Sequence, residues 1–503
     1  MLHVEENNAV CRISSWEGCF GADEVYGRVK DVMLSDLIKM IDDFAWGPWM
    51  LILLVGTGLY LSVRTGFPQF TKIPYWWKNT AGKLFGHHEA GEGEITPFQA
   101  LTTALAATVG TGNIAGVTGA IFIGGPGAVF WMWLAGLLGM MTKYSEVLLA
   151  VRYRERNRKG EWVGGPMYYI KNGLGQKWAW LGGIFAALAM LAAFGIGNAT
   201  QIQSIADAIN NAVDTFSSGT PAVVLLFGES VRISTLVIGA IVAVFVGLVL
   251  LGGVKRIGQV TEKLVPFMAA VYILAELLVI IVNGKHVLPV LGMIFKGAFQ
   301  PSAAIGGAFG ITVMTSIKKG VGRGCFSNEA GLGSAPIAHA ATSETDPVKQ
   351  GLYGIFEVFM DTIVICTLTS FTVLTSYLAG GITITWGSGG NGSDVAAAIS
   401  SVLGREIGAV IIAVCLSLFA LSTILSWGLY GTRCCEYLFG HKSVRIYQII
   451  FVCFIMCGAS MSLADAWNLA DALNGFMAIP NLIALLALSG TTIEMTMDHM
   501  KHR

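Results

Sequence analysis

Residues 104–116 read Ala-Leu-Ala-Ala-Thr-Val-Gly-Thr-Gly-Asn-Ile-Ala-Gly and lie inside a long apolar stretch, from about Pro97 to Gly125. The Gly-Thr-Gly-Asn sequence at 110–113 interrupts a pattern that otherwise predicts a membrane-spanning helix. Unpaired backbone groups are costly in lipid, so unwound backbone persists at that depth only inside protein or beside an aqueous cavity. The stretch therefore predicts a broken helix that binds a small ionic solute, as in secondary transporters. A kink that serves only helix packing is the alternative.

The composition of the whole chain is that of a polytopic membrane protein. Of its 503 residues, 54% are hydrophobic and 13% are charged, against about 25% charged residues in a soluble domain. The net charge of zero gives no indication of nucleic-acid binding. The sequence contains no H-E-x-x-H, G-x-S-x-G or P-loop motif. It therefore predicts neither an enzyme nor a cofactor other than a coupling ion.

Hydropathy predicts eleven membrane spans, each of roughly 20 residues. The predicted spans are 45–64, 97–121, 128–151, 179–204, 234–252, 264–283, 302–318, 351–377, 407–432, 446–463 and 467–490. With the N-terminus outside, 23 of the 32 Lys and Arg residues fall in inside segments, 8 fall outside, and Lys143 lies within a span. Because basic residues favour the cytoplasmic side, we expect a multi-pass protein of the cell membrane, most simply a bacterial inner membrane, with a cytoplasmic C-terminus.

Ten spans remain when the first is set apart, and they divide into two sets of five. The second set begins at residues 301–314, where Pro-Ser-Ala-Ala-Ile-Gly-Gly-Ala-Phe-Gly-Ile-Thr-Val-Met is again interrupted by glycine. Interrupted helices at matching positions of two halves predict an inverted repeat with a binding site between them. The predicted fold is all-α, with a polar tail and lead-in (1–44), an extra helix (45–64), two five-helix repeats (97–283 and 302–490) and a cytoplasmic tail (491–503).

Four motifs resemble those of one transporter family. They are Gly124-Gly-Pro-Gly-Ala-Val-Phe-Trp-Met-Trp-Leu-Ala-Gly136, Gly110-Thr-Gly-Asn-Ile-Ala-Gly116, Gly164-Gly-Pro-Met-Tyr-Tyr169 and Gly324-Cys-Phe-Ser-Asn-Glu-Ala-Gly-Leu-Gly-Ser-Ala-Pro336. Over about residues 34–495 the chain resembles the alanine or glycine:cation symporters, also called sodium:alanine symporters. That family is similar to the wider amino acid–polyamine–organocation group, whose ten core helices form a five-plus-five inverted repeat.

The resemblance implies sodium-coupled symport of a small neutral amino acid, alanine or glycine, by alternating access. The implied partners are this amino acid, Na+ and the lipid bilayer, with a monomer as the working unit. A proton-coupled carrier or an amino-acid exchanger on the same fold is the nearest alternative. An ion channel with the same helix breaks is an alternative from another class.

The substrate carboxylate needs hydrogen-bond donors, which the unwound amides around Thr111, Gly112 and Asn113 would supply together with the positive end of the following half-helix. Carbonyl groups near 308–312 would accept from the ammonium group. By similarity to the family, Gln201 and Phe309 line the pocket, and Trp427 limits the size of the side chain. The alternatives are an interhelical hydrogen bond for Gln201, ordinary packing for Phe309 and a lipid-facing position for Trp427.

The coupling cation needs oxygen ligands, because sodium is a hard ion. The hydroxyl groups of Ser422 and Thr423 would supply two, and carbonyl groups near Ala106 and Val109 would supply others. This set matches the sodium site shared by related transporters. The alternative is that both hydroxyls bond only to carbonyls of their own helix, and the sequence does not exclude a proton.

Acidic residues in predicted spans are candidates for coupling or gating. Glu276 and Asp361 lie deep in their spans, and Glu329 is expected at the inner mouth. Structural pairing or a protonated, uncharged acid is the alternative for Glu276 and Asp361, and a helix cap is the alternative for Glu329. Lys143 and Glu146, three residues apart, are expected to form a local ion pair.

Overall fold

The computed structural model describes residues 40–41, 43–83, 94–217, 220–226, 229–300, 311–460 and 463–501, with only the backbone described for 463–470. Helices account for most of this part of the chain. Two short antiparallel hairpins are also present, one pairing Glu155–Arg156 with Trp162–Val163 and the other pairing Val223–Leu226 with Glu229–Arg232.

The first half of the chain contains the broken helix and the elements around it. In chain order these are α1 Pro48–Thr65, α2 Pro68–Thr71, α3 Ile73–Asn79, α4 Pro97–Thr108, π1 Gly112–Gly116, α5 Val117–Gly124, α6 Ala128–Arg152, β1 Glu155–Arg156, β2 Trp162–Val163, α7 Pro166–Tyr169, π2 Ile170–Leu174, α8 Ala179–Phe194, π3 Gly195–Ala199, α9 Thr200–Phe216, β3 Val223–Leu226, β4 Glu229–Arg232, α10 Ile233–Leu250 and α11 Gly253–Val282. Three short 3₁₀ turns connect helices at Ala81–Lys83, Gln176–Trp178 and Gly284–His286.

The regular elements among the described residues of the second half are all helices. In chain order its elements are α12 Val287–Phe299, α13 Val313–Asn328, α14 Ala335–His339, α15 Pro347–Val358, π4 Phe359–Cys366, α16 Thr367–Leu378, α17 Gly392–Leu403, α18 Arg405–Phe439, α19 Ser443–Gly458, α20 Leu463–Ala487 and α21 Ser489–Lys501.

Within the described residues, seven helices are long and apolar enough to cross a membrane, and the number rises to nine if each of two bent pairs is one span. Pro97–Thr108 and Gly112–Gly124 form one bent pair, at 49°, and Asp471–Ala487 and Ser489–Lys501 form the other, at 56°. The described residues are therefore mostly helical, with several apolar helices long enough to cross a membrane, as the prediction of a helical membrane protein requires. The total of eleven spans and the inverted repeat stay predictions, because much of the predicted 302–318 span lies outside the described residues.

Two segments predicted to lie outside the spans are helical. Residues 253–263, expected as an inside segment, form the first turns of α11, which continues without a break to Val282. The expected C-terminal tail, 491–503, is mostly helical, because α21 extends from Ser489 to Lys501.

Helix α6 is central to the packing, because glycines on its neighbours bring their backbones against it. An added Cβ at Gly354 of α15 would lie 2.9 Å from the Lys143 carbonyl oxygen, and one at Gly324 of α13 would lie 3.2 Å from Met132 Cγ. Small residues allow such close helix contacts in membranes. The contacts place α13 and α15 on α6 and thereby fix the elements that surround the first break.

Candidate substrate and cation site

The first broken helix begins with a strong cap and stops where the glycines begin. The Thr96 side chain accepts from Gln99 N and the Gln99 side chain accepts from Thr96 N, so a capping box starts α4. Helix α4 ends at Thr108, Val109 leaves helical geometry with ψ 86°, and a π-helical turn follows from Gly112. The predicted interruption at 110–113 is therefore present. Turns of π-helix occur frequently at functional sites.

Asn113 holds the break in place through both ends of its side chain. Its Oδ1 accepts from Gly110 N at 2.8 Å, and its Nδ2 donates to Asp361 Oδ1 at 2.6 Å. Asp361 also accepts from Ser327 and Thr362, at 3.0 and 2.9 Å. The backbone N–H of Asn113 donates to Gly110 O. Of the three backbone amides predicted to bind the substrate, the Asn113 amide therefore already has a hydrogen-bond acceptor.

Thr111, in the first break, forms a hydrogen bond with Gln201 of α9. Thr111 Oγ1 donates to Gln201 Oε1 at 3.3 Å, while Gln201 Nε2 donates to Ile196 O at 2.8 Å. Both residues are buried. The structure thus brings two of the predicted substrate residues together, and the interhelical hydrogen bond that was the alternative reading of Gln201 is present as well.

Trp427 is fully buried, which excludes the lipid-facing position that was its alternative. An added Cβ at Gly197, in the π3 turn, would overlap the Cβ of Trp427. The indole Nε1 donates to Glu329 Oε1 at 3.1 Å. Trp427 therefore joins α18 to π3 and to the segment that contains Glu329.

Three of the four predicted cation residues, Ala106, Ser422 and Thr423, converge at the end of α4. Ser422 Oγ and Thr423 Oγ1 lie 3.2 and 3.1 Å from the carbonyl oxygen of Ala106. Both hydroxyls also contact Phe419 O of their own helix, at 2.8 and 3.0 Å. An added Cβ at Gly110 would lie 2.7 Å from Thr423 Oγ1. Each of the two hydroxyls thus lies within hydrogen-bond distance of two carbonyl oxygens, Ala106 O of α4 and Phe419 O of its own helix. The alternative, in which the hydroxyls bond to a carbonyl of their own helix, is therefore present together with the contact to α4.

A second helix break lies at residues 329–333, and its position differs from the predicted one. Helix α13 ends at Asn328, and the next residues adopt left-handed backbone, with φ 54° at Glu329, 94° at Gly331 and 83° at Gly333. The short helix α14 follows. The predicted interruption at 301–314 falls mostly outside the described residues, and α13 continues well past Lys318, where the predicted span ended.

Contacts with α6 show the depth of this second break. Gly320 packs against Ala128, Gly324 against Met132, and Ala330 against Gly139, near the middle of the 25-residue α6. Because α13 and α6 run in the same direction, Glu329 lies level with the middle of α6. The expectation of an inner-mouth position for Glu329 is therefore wrong.

An aromatic residue that the sequence interpretation missed faces the first break. An added Cβ at Gly112 would lie 3.6 Å from Phe326 Cδ1 and 3.7 Å from Ser327 Cα. Phe309, predicted for the pocket, lies outside the described residues. Phe326 belongs to the Gly324–Pro336 motif and lies shortly before the second break. Its place in that motif was the sequence signal that could have identified it as a pocket residue.

A cavity of about 1200 Å³ lies beside π1 and α5. Gly116 and Gly119 line one wall, and Lys319 and Arg323 of α13 line another. Arg323 forms an ion pair with Asp471 of α20 at 3.0 Å. The cavity reaches the first break at Gly116, but none of the predicted substrate or cation residues that the structure describes is among its lining residues.

Comparison with known proteins identifies the family. The family model described as the sodium:alanine symporter family matches residues 31–503. The chain belongs to the sodium:alanine symporter family. Its amino-acid transport and symport character, and its several membrane-spanning helices, follow from that membership.

Relatives within the sodium:alanine symporter family align over almost their whole lengths. The sodium/alanine symporter AgcS of Methanococcus maripaludis is 44% identical over 464 residues, which cover 92% of this chain and 96% of that protein. The probable sodium/glutamine symporter GlnT of Bacillus subtilis is 34% identical over 478 residues, covering 94% and 92%. The family therefore includes carriers whose names give different amino acids.

A solved structure supports the fold. The crystal structure of MhsT in complex with L-phenylalanine, a LeuT-fold transporter, matches with a TM-score of 0.59 at 15% sequence identity. The match covers 79% of this chain and 90% of that one. At this identity the similarity shows the fold of the symporter and nothing about its substrate.

Two buried charges of this family member pair differently from expectation. Lys143 Nζ lies 3.2 Å from Glu357 Oε1, whereas Glu146 Oε1 accepts from Gly331 N and Asn481 Nδ2. The predicted Lys143–Glu146 ion pair is therefore wrong: Glu146 instead accepts a backbone amide of the second break. Glu276 is also fully buried, one turn from Tyr272, whose hydroxyl shares a 2.9 Å hydrogen bond with Thr369.

The symporter also has a charged cluster outside the membrane-spanning segments, in the loop after α6. Glu161 accepts from Arg433 at 2.9 Å, and Arg433 also contacts Glu436 at 2.7 Å. Burial opposes ionisation of Glu161, but the Arg433 guanidinium and the Asn157 amide outweigh it and hold the pKa of Glu161 below its usual range. This ion pair ties the α6–α7 loop to the end of α18.

Proposed function

We propose that this protein is a secondary active transporter that carries a small neutral amino acid, alanine or glycine, together with sodium. The observation that supports sodium most strongly is the placement of Ser422 and Thr423 hydroxyls against the Ala106 carbonyl. Membership of the sodium:alanine symporter family and the 44% identity to AgcS support the substrate class. The sites, the substrate and the coupling ion are proposals.

The proposed sodium ligands are the carbonyl oxygens of Ala106 and Val109 and the hydroxyls of Ser422 and Thr423. The Phe419 carbonyl, which contacts both hydroxyls, adds a ligand that the sequence interpretation did not name. Hard cations prefer oxygen ligands. Each hydroxyl would turn its hydrogen away and present a lone pair to the ion.

The proposed substrate site lies beside the cation site, across the first break. The amides of Thr111 and Gly112, at the positive end of the π1–α5 half-helix, would bind the carboxylate. Gln201 would accept from the ammonium group, and Trp427 would limit the side chain. A pocket of this kind discriminates one methylene by about 1–3 kcal/mol, so the preference for small amino acids is expected to be steep.

Coupling follows if sodium and substrate order the same break. Sodium would tie the end of α4 to α18, and the next residues of the chain would bind the carboxylate. Each ligand would then raise the affinity for the other, since coupling between two sites is reciprocal. Alternating access would arise from the two conformations having different affinities for the pair. Asp361 would contribute by fixing Asn113 and thereby the break.

The proposed orientation keeps the N-terminus outside and the C-terminus in the cytoplasm. Lys318, Lys319 and Arg323, counted as inside residues from sequence, lie on α13, and Lys319 packs against Gly124 at the opposite end of α6 from Arg152. Counting these three residues as outside reduces the excess of Lys and Arg on the inside, but a clear excess remains.

Thermal stabilisation by ligands tests the two sites separately. Sodium and alanine, added alone and together, should each raise the Tm of the wild-type protein, because stabilisation follows affinity. Thr423→Ala should abolish stabilisation by sodium, whereas Gln201→Ala and Trp427→Ala should abolish stabilisation by alanine at saturating sodium. Thr432→Ala is the matched control, because among the described residues the Thr432 hydroxyl bonds only to Gly428 O of its own helix. Unchanged sodium stabilisation in Thr423→Ala would contradict the assigned cation site.

A further inference from the structure

A directional chain of hydrogen bonds runs from the loop after α14 into the buried centre of the protein. Glu344 N donates to Thr342 Oγ1 at 3.2 Å, and that hydroxyl donates to Gln350 Oε1 at 3.2 Å. Gln350 Nε2 then lies 2.8 Å from His339 Nδ1, and His339 Nε2 lies 3.2 Å from Glu357 Oε2. The other oxygen of Glu357 faces Lys143 at 3.2 Å. Glu344 is half-buried, and the inner members of the chain are fully buried.

The hydrogen bonds in this arrangement are those of a neutral His339. Thr342 Oγ1 accepts from Glu344 N and donates to Gln350 Oε1. With Oε1 on that side, the Gln350 NH₂ group faces His339 Nδ1. In the neutral imidazole Nδ1 accepts, and the proton on Nε2 is donated to Glu357 Oε2.

The surroundings of the His339–Glu357 pair carry an excess of acid groups. Among the described residues, the titratable groups that act electrostatically with Glu357 are Lys143 and Glu146 of α6, Glu329 of the second break and Tyr430 of α18, while Arg154, after α6, donates to Thr342 O. Glu146, Glu329 and Glu357 all act electrostatically on the single ammonium group of Lys143. Like charges in one buried site disfavour each other's ionised forms. A second positive charge at His339 would offset this excess.

We propose that His339, held between Gln350 and Glu357, is a proton-binding site of the transport cycle, separate from the proposed sodium site. The arrangement around His339 fits the neutral form. In the charged form a proton from solvent would occupy Nδ1, and the Gln350 amide would turn so that Oε1 accepts from it. The Gln350 NH₂ group would then donate to Thr342 Oγ1, and the Thr342 hydroxyl hydrogen would turn away from Gln350.

The position of the pair suggests when the proton binds. His339 lies in α14, directly after the second break, and Arg154 holds the end of this segment through Thr342 O at 2.6 Å. Movement of α14 that admits water would lower the cost of a charged imidazole. Proton uptake would then accompany opening on this side, and proton loss would accompany closure.

The pH profile of transport tests the site. Initial rates of alanine uptake are measured in proteoliposomes at saturating sodium across about pH 5–8, the range in which histidine titrates. The wild-type rate should change by up to about tenfold per pH unit on one limb, as expected when one proton controls a step. His339→Gln keeps an N–H donor for Glu357 but does not titrate, so its profile should be flat within about twofold over the same range. His286→Gln, in a 3₁₀ turn far along the chain, is the control and should retain the wild-type profile.

A second variant keeps the test decisive if His339→Gln does not fold. Gln350→Glu has the same shape but places a carboxylate at Nδ1, which favours the charged imidazole, so the midpoint of the profile should move to higher pH. If both variants keep the wild-type pH profile, the proposal is overturned. If His339→Gln does not fold, a wild-type profile in Gln350→Glu alone overturns it. The flux assay rests on the proposed function, but the outcomes are distinguishable: absence of alanine uptake at every pH contradicts the function, whereas uptake without a histidine-dependent profile contradicts only the proton site.

Discussion

Asn113 Nδ2 donates to Asp361 Oδ1 over 2.6 Å, and Asn113 Oδ1 accepts from Gly110 N over 2.8 Å. A buried acid of π4 thus orients the amide that caps the first break. Ser327, at the end of α13, donates to the same carboxylate. The first break, π4 and α13 therefore share one hydrogen-bond network.

Replacing the acid should disorder the break without affecting the rest of the fold. In Asp361→Asn an NH₂ group would face donors from Asn113, Ser327 and Thr362. Hydrogen bonds to a charged group contribute about 1.5–3 kcal/mol each, so alanine uptake should fall by about tenfold to a hundredfold for one such bond lost. Asp498→Asn, in an exposed pair with Lys501, is the control. Uptake by Asp361→Asn within about twofold of wild type would argue against this role for the network.

A methyl group at Gly197 should disturb the contact with α18. The added Cβ would overlap Trp427 Cβ, and overpacking of this kind typically costs about 1–3 kcal/mol. Gly197→Ala should therefore lower the Tm and alanine uptake together. Gly183→Ala is the matched control, since nothing lies within 4 Å of its added Cβ. Equal Tm values for the two variants would show that π3 can shift freely.

Shortening Trp427 should change which amino acids are carried. Trp427→Phe removes the donor to Glu329 and creates space beside π3, so uptake of leucine relative to alanine should rise, by about tenfold per methylene accommodated. Competition of each amino acid against labelled alanine measures the ratio. Trp180→Phe, whose ring is largely exposed, should leave the ratio unchanged. An unaltered ratio in Trp427→Phe would remove this residue from the size filter.

The loop after α6 should loosen in acid. The pKa of Glu161 is lower in the folded protein than in the unfolded chain, so its ion pair with Arg433 stabilises the fold above the unfolded value of about 4.3. That stabilisation is lost as the pH falls through the lower folded value. Glu161→Gln should have a lower Tm than wild type at pH 6, and the difference should shrink as the pH approaches 3. A difference that is independent of pH would show that packing, not charge, is responsible.

The first break could be predicted because glycine and asparagine interrupt an otherwise apolar, helical stretch. Gly110, Gly112 and Asn113 are poor helix formers in an otherwise apolar helix, and the structure bends there. The convergence of Ser422 and Thr423 on Ala106 came from family resemblance, since no local pattern in the sequence brings residues more than 300 positions apart together.

The break at 329–333 was not predicted from the sequence, for two physical reasons. Lys318, Lys319 and Arg323 make α13 appear too polar to lie in a membrane, yet Lys319 and Arg323 line the large cavity, where charge is tolerated. Glu329 adopts left-handed backbone although it is not glycine, which sequence alone rarely reveals. The Gly331-x-Gly333 spacing was the signal available. Pairings of Lys143 with Glu357 and of Glu146 with Asn481 depend on helix packing that periodicity does not give.

Sodium dependence of alanine uptake tests the central claim most directly. The full-length protein is reconstituted into proteoliposomes, and alanine uptake is followed with an inward sodium gradient, with equal sodium on both sides, and with potassium replacing sodium. We predict concentrative uptake only with the gradient, and its loss in Thr423→Ala but not in Thr432→Ala. Uptake that is equally fast and concentrative without sodium would contradict the account.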